Sequence, residues 1–101
     1  MSRKSSVLSE LEKKKEVLTK IGVSRIGLFG SIVREEDSPD SDIDILVDFA
    51  PQARKFNNFN QLCDVLDETF GDNYDLVTMT GLSPYTGERI LSEVEYVPIA
   101  S

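Results

Sequence analysis

The stretch "LFGSIVREEDSPDSDIDILVDF" (residues 28–49) decides how the chain is read. One short apolar segment closes in Gly30 and Ser31, and eleven residues after that serine Asp42 and Asp44 open another. Acidic side chains at alternate positions at the head of a core strand are poor folding material, because burial penalises each charge. They either mark the edge of a loop in water or hold something positively charged. Side chains two apart on a strand share a face, about 7 Å apart along the backbone. At about 5 Å and an effective dielectric near 20, two such carboxylates repel by roughly 3 kcal/mol. A divalent cation between them, or full hydration, offsets that cost.

Gly30 and Ser31 favour the cation. A strand that ends in glycine and turns into a short helix exposes unpaired backbone N–H groups and the positive end of a helix dipole. Glycine admits a phosphate close to the backbone, Ser31 adds a hydroxyl, and Arg34 one turn on projects a guanidinium towards the same anion. The plainer reading is a capped helix with Arg34 in a surface ion pair. A third carboxylate, Asp75, heads the apolar run "YDLV" much as Asp44 heads its own. If that strand lies beside the second, three carboxylates gather at one sheet edge. Two would bridge a pair of metal ions while the third takes the proton of an attacking hydroxyl. Asp48 shares strand parity with Asp42 and Asp44 but lies deeper, and reads as a strand-end residue.

Around this centre the pattern gives alternating elements. Residues 6–21 carry Val7, Leu8, Leu11, Leu18 and Ile21 at helical spacing, with Gly22 as the stop. Residues 25–29 form a buried strand, 31–36 one or two helical turns, and 38–41 a turn in which Pro39 ends the helix. The second strand, 42–49, is apolar almost throughout, which predicts burial on both faces. A loop opens at 50–52. A long helix over 58–70 presents Phe59, Leu62, Cys63, Leu66 and Phe70 on one face and stops at Gly71. A third strand spans 74–79, a short helix runs from Pro84 to about residue 92, and "EYVPI" supplies an edge strand. This order predicts an α/β or α+β chain, with a sheet of about four strands flanked by helices.

Composition narrows the chemistry. The 101 residues suit one domain, and 40% apolar with 29% charged residues describes an ordinary globular chain. The chain has no histidine, which removes histidine triads, zincin motifs and histidine general bases. Oxygen ligands remain, favouring Mg²⁺ or Mn²⁺ over zinc. A net charge of −7 argues against a long nucleic-acid polymer as main partner. Lys13, Lys14 and Lys15 form the only basic cluster and read as a solvated helix face. The single Cys63 agrees with a reducing compartment. No apolar run suits a signal peptide or a bilayer span, so the expected location is the cytoplasm.

The segments "GSIVR", "SDIDILVDF" and "YDLVT", in this order and spacing, resemble the minimal nucleotidyltransferase (MNT) family of the DNA polymerase β-like superfamily. The resemblance runs from Ser24 to "YVPI" near the end and leaves only the first helix outside it. It implies the polymerase β-like fold with a small mixed sheet, and Asp42, Asp44 and Asp75 as catalytic and metal-binding acids. It further implies Gly30, Ser31 and Arg34 as nucleotide-binding residues, two Mg²⁺ ions, and ATP as substrate. AMP would pass to a hydroxyl with release of pyrophosphate. Members of the family commonly sit beside a HEPN-domain toxin and act as its antitoxin, some by adding AMP to a toxin tyrosine. One departure is visible: relatives often have glycine after this arginine, where Glu35 and Glu36 stand here. Two acids beside a triphosphate would repel it unless they point away.

Two other functions stay open at this level. One is an antitoxin that neutralises its partner by contact with little turnover, against which three intact carboxylates weigh. The other is small-molecule nucleotidylation, for which the chain is short. An exposed last strand leaves room for pairing with a second copy or a partner.

Overall fold

The computed structural model describes residues 3–38 and 40–99. Its order is α1 (Arg3–Lys13), α2 (Lys15–Ile21), β1 (Val23–Phe29), β2 (Ile43–Phe49), α3 (Phe56–Phe70), β3 (Tyr74–Thr78), α4 (Pro84–Glu93) and β4 (Glu95–Tyr96). Single 3₁₀ turns follow β1, β2 and β3, at Gly30–Ile32, Pro51–Ala53 and Met79–Gly81. The strands form one mixed sheet in the order β3-β2-β1-β4. β1 is antiparallel to both β2 and β4, and β2 is parallel to β3. This is the mixed α+β architecture that the alternation of elements predicts.

The central strand β2 has the near-continuous apolar character of a strand covered on both sides. Ile43, Ile45, Val47 and Phe49 join a core with Val7, Leu11, Leu18 and Ile21 of α1 and α2, and with Leu62 and Leu66 of α3. Leu46 is also fully buried but has the opposite parity, shared with Asp44 and Asp48. Excluding a side chain of this size from water contributes about 1.5–3 kcal/mol. The sheet thus rests on α1–α3 with one face. Its other face carries Asp44 at one end, where α4 lies.

Three local expectations need correction. The helix expected over 6–21 is two helices broken at Lys14, and it begins earlier, at Arg3. Periodicity does not register this break, because Leu11 and Leu18 stand two turns apart and are buried on either side of it. The lysine cluster therefore marks a helix junction, not one continuous face. The early start is a tertiary effect. The Arg3 guanidinium donates to the Asp37 carboxylate at 3.0 Å and to the carbonyls of Ser38 and Ser41 at 3.1 and 2.6 Å, tying α1 to the loop before Asp42.

The helical turns expected over 31–36 shrink to the 3₁₀ turn at Gly30–Ile32 and a following hydrogen-bonded turn over 33–35. Glu35, at φ 57°, lies in the left-handed region and ends the helical path. No helix dipole of useful length therefore points at Gly30. Any anion there would meet individual N–H groups instead. The turn at 38–41 is present, with the Ser41 N–H donating to the Ser38 carbonyl at 3.0 Å. The role expected of Pro39 lies outside the described residues. α4 starts as its sequence predicts, with Pro84 in the first turn and the Ser83 hydroxyl accepting from the Thr86 N–H at 3.2 Å.

Gly27 marks where β4 presses on β1. A Cβ there would stand 2.6 Å from the Glu95 carbonyl oxygen and 3.0 Å from the Tyr96 Cα. Gly27→Ala is expected to push β4 away and cost about 1–3 kcal/mol in chemical denaturation. Glu35→Gly should do the reverse and raise stability by up to about 1 kcal/mol, because relief of the left-handed backbone exceeds glycine's entropy cost.

Candidate active site

Register builds the site. Phe29 of β1 faces Asp44 of β2, and Asp44 faces Asp75 of β3, so the three stand in one row across the sheet. Neighbouring strands lie about 4.8 Å apart, which fixes the row's spacing from the backbone. Asp42, exposed, lies one residue before β2. Asp75 is held from behind by Tyr74, whose hydroxyl donates to the Asp67 carboxylate at 2.7 Å and contacts the Cys63 carbonyl at 3.3 Å. Burial, then the Asp67 carboxylate, pushes the Tyr74 phenol well above its ordinary pKa, so it stays a donor. Burial also raises the Cys63 thiol, which marks it as packing material and not a nucleophile.

Beyond Phe29 the chain turns at Gly30, whose φ of 78° suits glycine. A Cβ at Gly30 would collide with the Asp44 carboxylate, so a side chain here would have to displace that acid as well as adopt a strained left-handed backbone. A cleft of about 360 Å³ opens here, lined by Gly30, Ser31, Arg34 and Asp44 together with Thr86, Arg89 and Glu93 of α4. Four of the six residues expected at the site thus share one cavity, while Asp42 and Asp75 are outside its lining but close enough to act on the charge of Asp44.

The electrostatics are those of crowded carboxylates. Burial raises the Asp44 pKa first, and the charges of Asp75, Asp42 and Glu93 raise it further, with only Arg34 opposing. Asp48 lies on the same face about 13 Å along the strand. It pairs with Arg54 at 3.3 Å and with Arg25 at 3.7 Å. The contrast separates a carboxylate neutralised within the fold from one left beside like charges.

Arg34 is not free. It donates from Nη1 to Glu93 at 2.8 Å and from Nε to Glu36 at 3.2 Å, bonds that hold its guanidinium firmly charged. Glu36 therefore turns towards the arginine and does not point away. Glu93 reaches further, its other oxygen accepting from the Gly30 N–H at 3.1 Å. Glu93, Arg89 and Thr86 are not legible as site residues in the sequence. Their i, i+3, i+7 spacing marks one face of α4, but nothing local says what that face meets.

Oxygen-only ligands, a half-buried Asp44 among like charges, and a glycine leaving space beside it suit a hard divalent cation. Among the described residues no three acidic or cysteine side chains stand ready-made as a metal-binding group. Ligands beyond the strand carboxylates would come from phosphate oxygens and water, as Mg²⁺ sites commonly have them.

Residues 10–97 match the family described as the nucleotidyltransferase domain. The chain belongs to that family. With it, the chain stands among the enzymes of nucleotidyl transfer. The protein adenylyltransferase MntA of Thermococcus cleftensis is 42% identical over 84 residues, which cover 83% of this chain and 84% of that protein. A solved minimal nucleotidyltransferase superposes with a TM-score of 0.70 at 30% identity, covering 94% of this chain and 95% of its own. A chain in the complex of tri-AMPylated Shewanella oneidensis HEPN toxin with MNT antitoxin shares the fold, at 20% identity and a TM-score of 0.53, covering 85% of this chain and 70% of that one. The nucleotidyltransferase fold is therefore the frame on which the carboxylate row and the Gly30 turn are mounted.

The raised pKa of Asp44 fixes a direction. A carboxyl that holds its proton more tightly when folded contributes stability below the ordinary aspartate pKa of about 4, and that contribution is lost as pH rises through the raised value. In metal-free buffer, Asp44→Asn should melt at a higher temperature than the wild type at pH 7. The difference should fade as pH falls below about 4, as thermal denaturation across pH would show.

Proposed function

We propose that this nucleotidyltransferase moves AMP from ATP to a hydroxyl, with a tyrosine of a HEPN-domain toxin as acceptor, and thereby acts as an antitoxin in the cytoplasm. The observation that carries the reading is the row of Asp44 and Asp75 beside the Gly30 turn, with Arg34 in the same cleft. It draws further support from relatives named for protein adenylyl transfer, and from the likeness to a chain in a HEPN toxin–MNT antitoxin complex. Among the described residues no helix is long and apolar enough to cross a membrane.

In this reading the Gly30 N–H, the Ser31 hydroxyl and the Arg34 guanidinium bind and orient the triphosphate. Asp42, Asp44 and Asp75 would hold two Mg²⁺ ions, which would supply neutralisation of the charge on the reacting phosphate. Asp75, the exposed end of the row, takes the acceptor's proton. The acceptor oxygen then bonds to the α-phosphorus as the bond to the bridging oxygen breaks, and pyrophosphate leaves with its electron pair. The chain's own contribution is positioning and a fixed electrostatic field.

A second reading, neutralisation by contact with little turnover, draws on the two carboxylates that already engage Arg34. One experiment separates the two. The purified protein is incubated with Mg²⁺, α-labelled ATP and a purified HEPN-domain toxin from the same organism. A label on that protein that disappears with Asp44→Asn, by at least about 100-fold in rate, is the expected outcome. Complex formation with no label would establish the contact reading.

A further inference from the structure

Glu93 is the last residue of α4, and its side chain is only 20% exposed. One carboxylate oxygen accepts from the Gly30 N–H at 3.1 Å and the other from Arg34 Nη1 at 2.8 Å. Those are two of the donors that the nucleotide reading gives to the triphosphate. A carboxylate and a phosphate each offer charged acceptor oxygens, one for the guanidinium and one for the backbone N–H, so the two ligands compete for the same donors. Glu36 also contacts Arg34 but is 66% exposed, and an ion pair in water holds little.

Glu93 is in an awkward place for an acid. Its charge adds to the negative field at Asp44, which Asp42 and Asp75 already make unfavourable. What keeps it there is the pair of donors. An alternative partner stands close by: Arg89 lies four residues earlier on α4, within i, i+4 reach, and lines the same cleft. A Glu93 side chain displaced from Arg34 therefore need not be left unpaired.

We propose that Glu93 is an internal stand-in for a nucleotide phosphate, holding the Gly30 N–H and Arg34 in binding geometry until the triphosphate displaces it. The proposal rests on the nucleotide reading above and adds a competitor to it. Displacement sets the apparent affinity below what the cleft itself would give, because each arriving phosphate must first release a charge-assisted pair. It also ties nucleotide binding to the C-terminal end of α4, which runs directly into edge strand β4.

The test titrates α,β-methylene-ATP with Mg²⁺ into the wild type, Glu93→Gln and Glu93→Ala by calorimetry, with thermal melts confirming each fold. Replacing a charge-assisted pair by a neutral one should tighten binding about five- to tenfold in Glu93→Gln, and Glu93→Ala should move the same way. In the wild type, the ¹³C signal of the Glu93 side-chain carboxyl should shift in step with occupancy, a readout independent of how well either variant folds. Unchanged or weaker binding in Glu93→Gln, with the Glu93 signal unmoved in a wild type that binds, would overturn the competitor and leave the nucleotide reading intact. If neither the wild type nor either variant binds the analogue, the nucleotide reading fails and the proposal with it.

Discussion

The register of β2 against its two neighbours is the constraint on which the rest of the site depends. Backbone pairing sets Phe29, Asp44 and Asp75 abreast. Side-chain direction on a strand alternates with every residue, so a slip of one position would turn Asp44 into the helix-packed core and Ile43 or Ile45 out of it. The apolar set on β2 and the carboxylate row are therefore fixed by one and the same pairing. Stability and site geometry are not separable here, since the burial of Ile43, Ile45 and Val47 holds Asp44 at the cleft.

The same sheet shows how a fold handles an acid it needs and one it does not. Asp48 is neutralised by Arg25 and Arg54 and becomes part of the scaffold. Among the described residues Asp44 forms no such pair, and the charges of Asp75, Asp42 and Glu93 act on it with only Arg34 opposing. An unneutralised half-buried carboxylate costs stability. Such a carboxylate, beside a glycine whose missing side chain leaves it room, has the chemistry a hard cation suits. The Gly30 turn adds donors to these acceptors, so the cleft offers both signs of charge within a few ångströms. That combination suits a metal–polyphosphate ligand better than either ion alone.

Much of this is legible in the order and chemistry of the residues alone. Gly30, Ser31, Arg34 and Asp44 are expected to converge, and they line one cleft. The pairing of β2 with β3 is the condition on which Asp75 can join them, and it holds. The helical turns expected after Gly30 are cut short, because Glu35 adopts a left-handed backbone that no propensity of glutamate announces. The orientation of Glu36 departs for a related reason. A short bend with a reversed residue does not present its side chains at helical angles.

Sequence by itself determined most of the elements, the apolar faces and the side-chain chemistry that meets at the cleft, because these follow from local periodicity and residue type. Only the tertiary structure decided which partner each charge takes. Arg3 reaches a loop 34 to 38 residues away, and Glu93 reaches Gly30 and Arg34 across 63 and 59 residues. Such contacts depend on where whole elements are laid against each other. No rule that reads a window of neighbours can see that the end of α4 closes over the turn after β1.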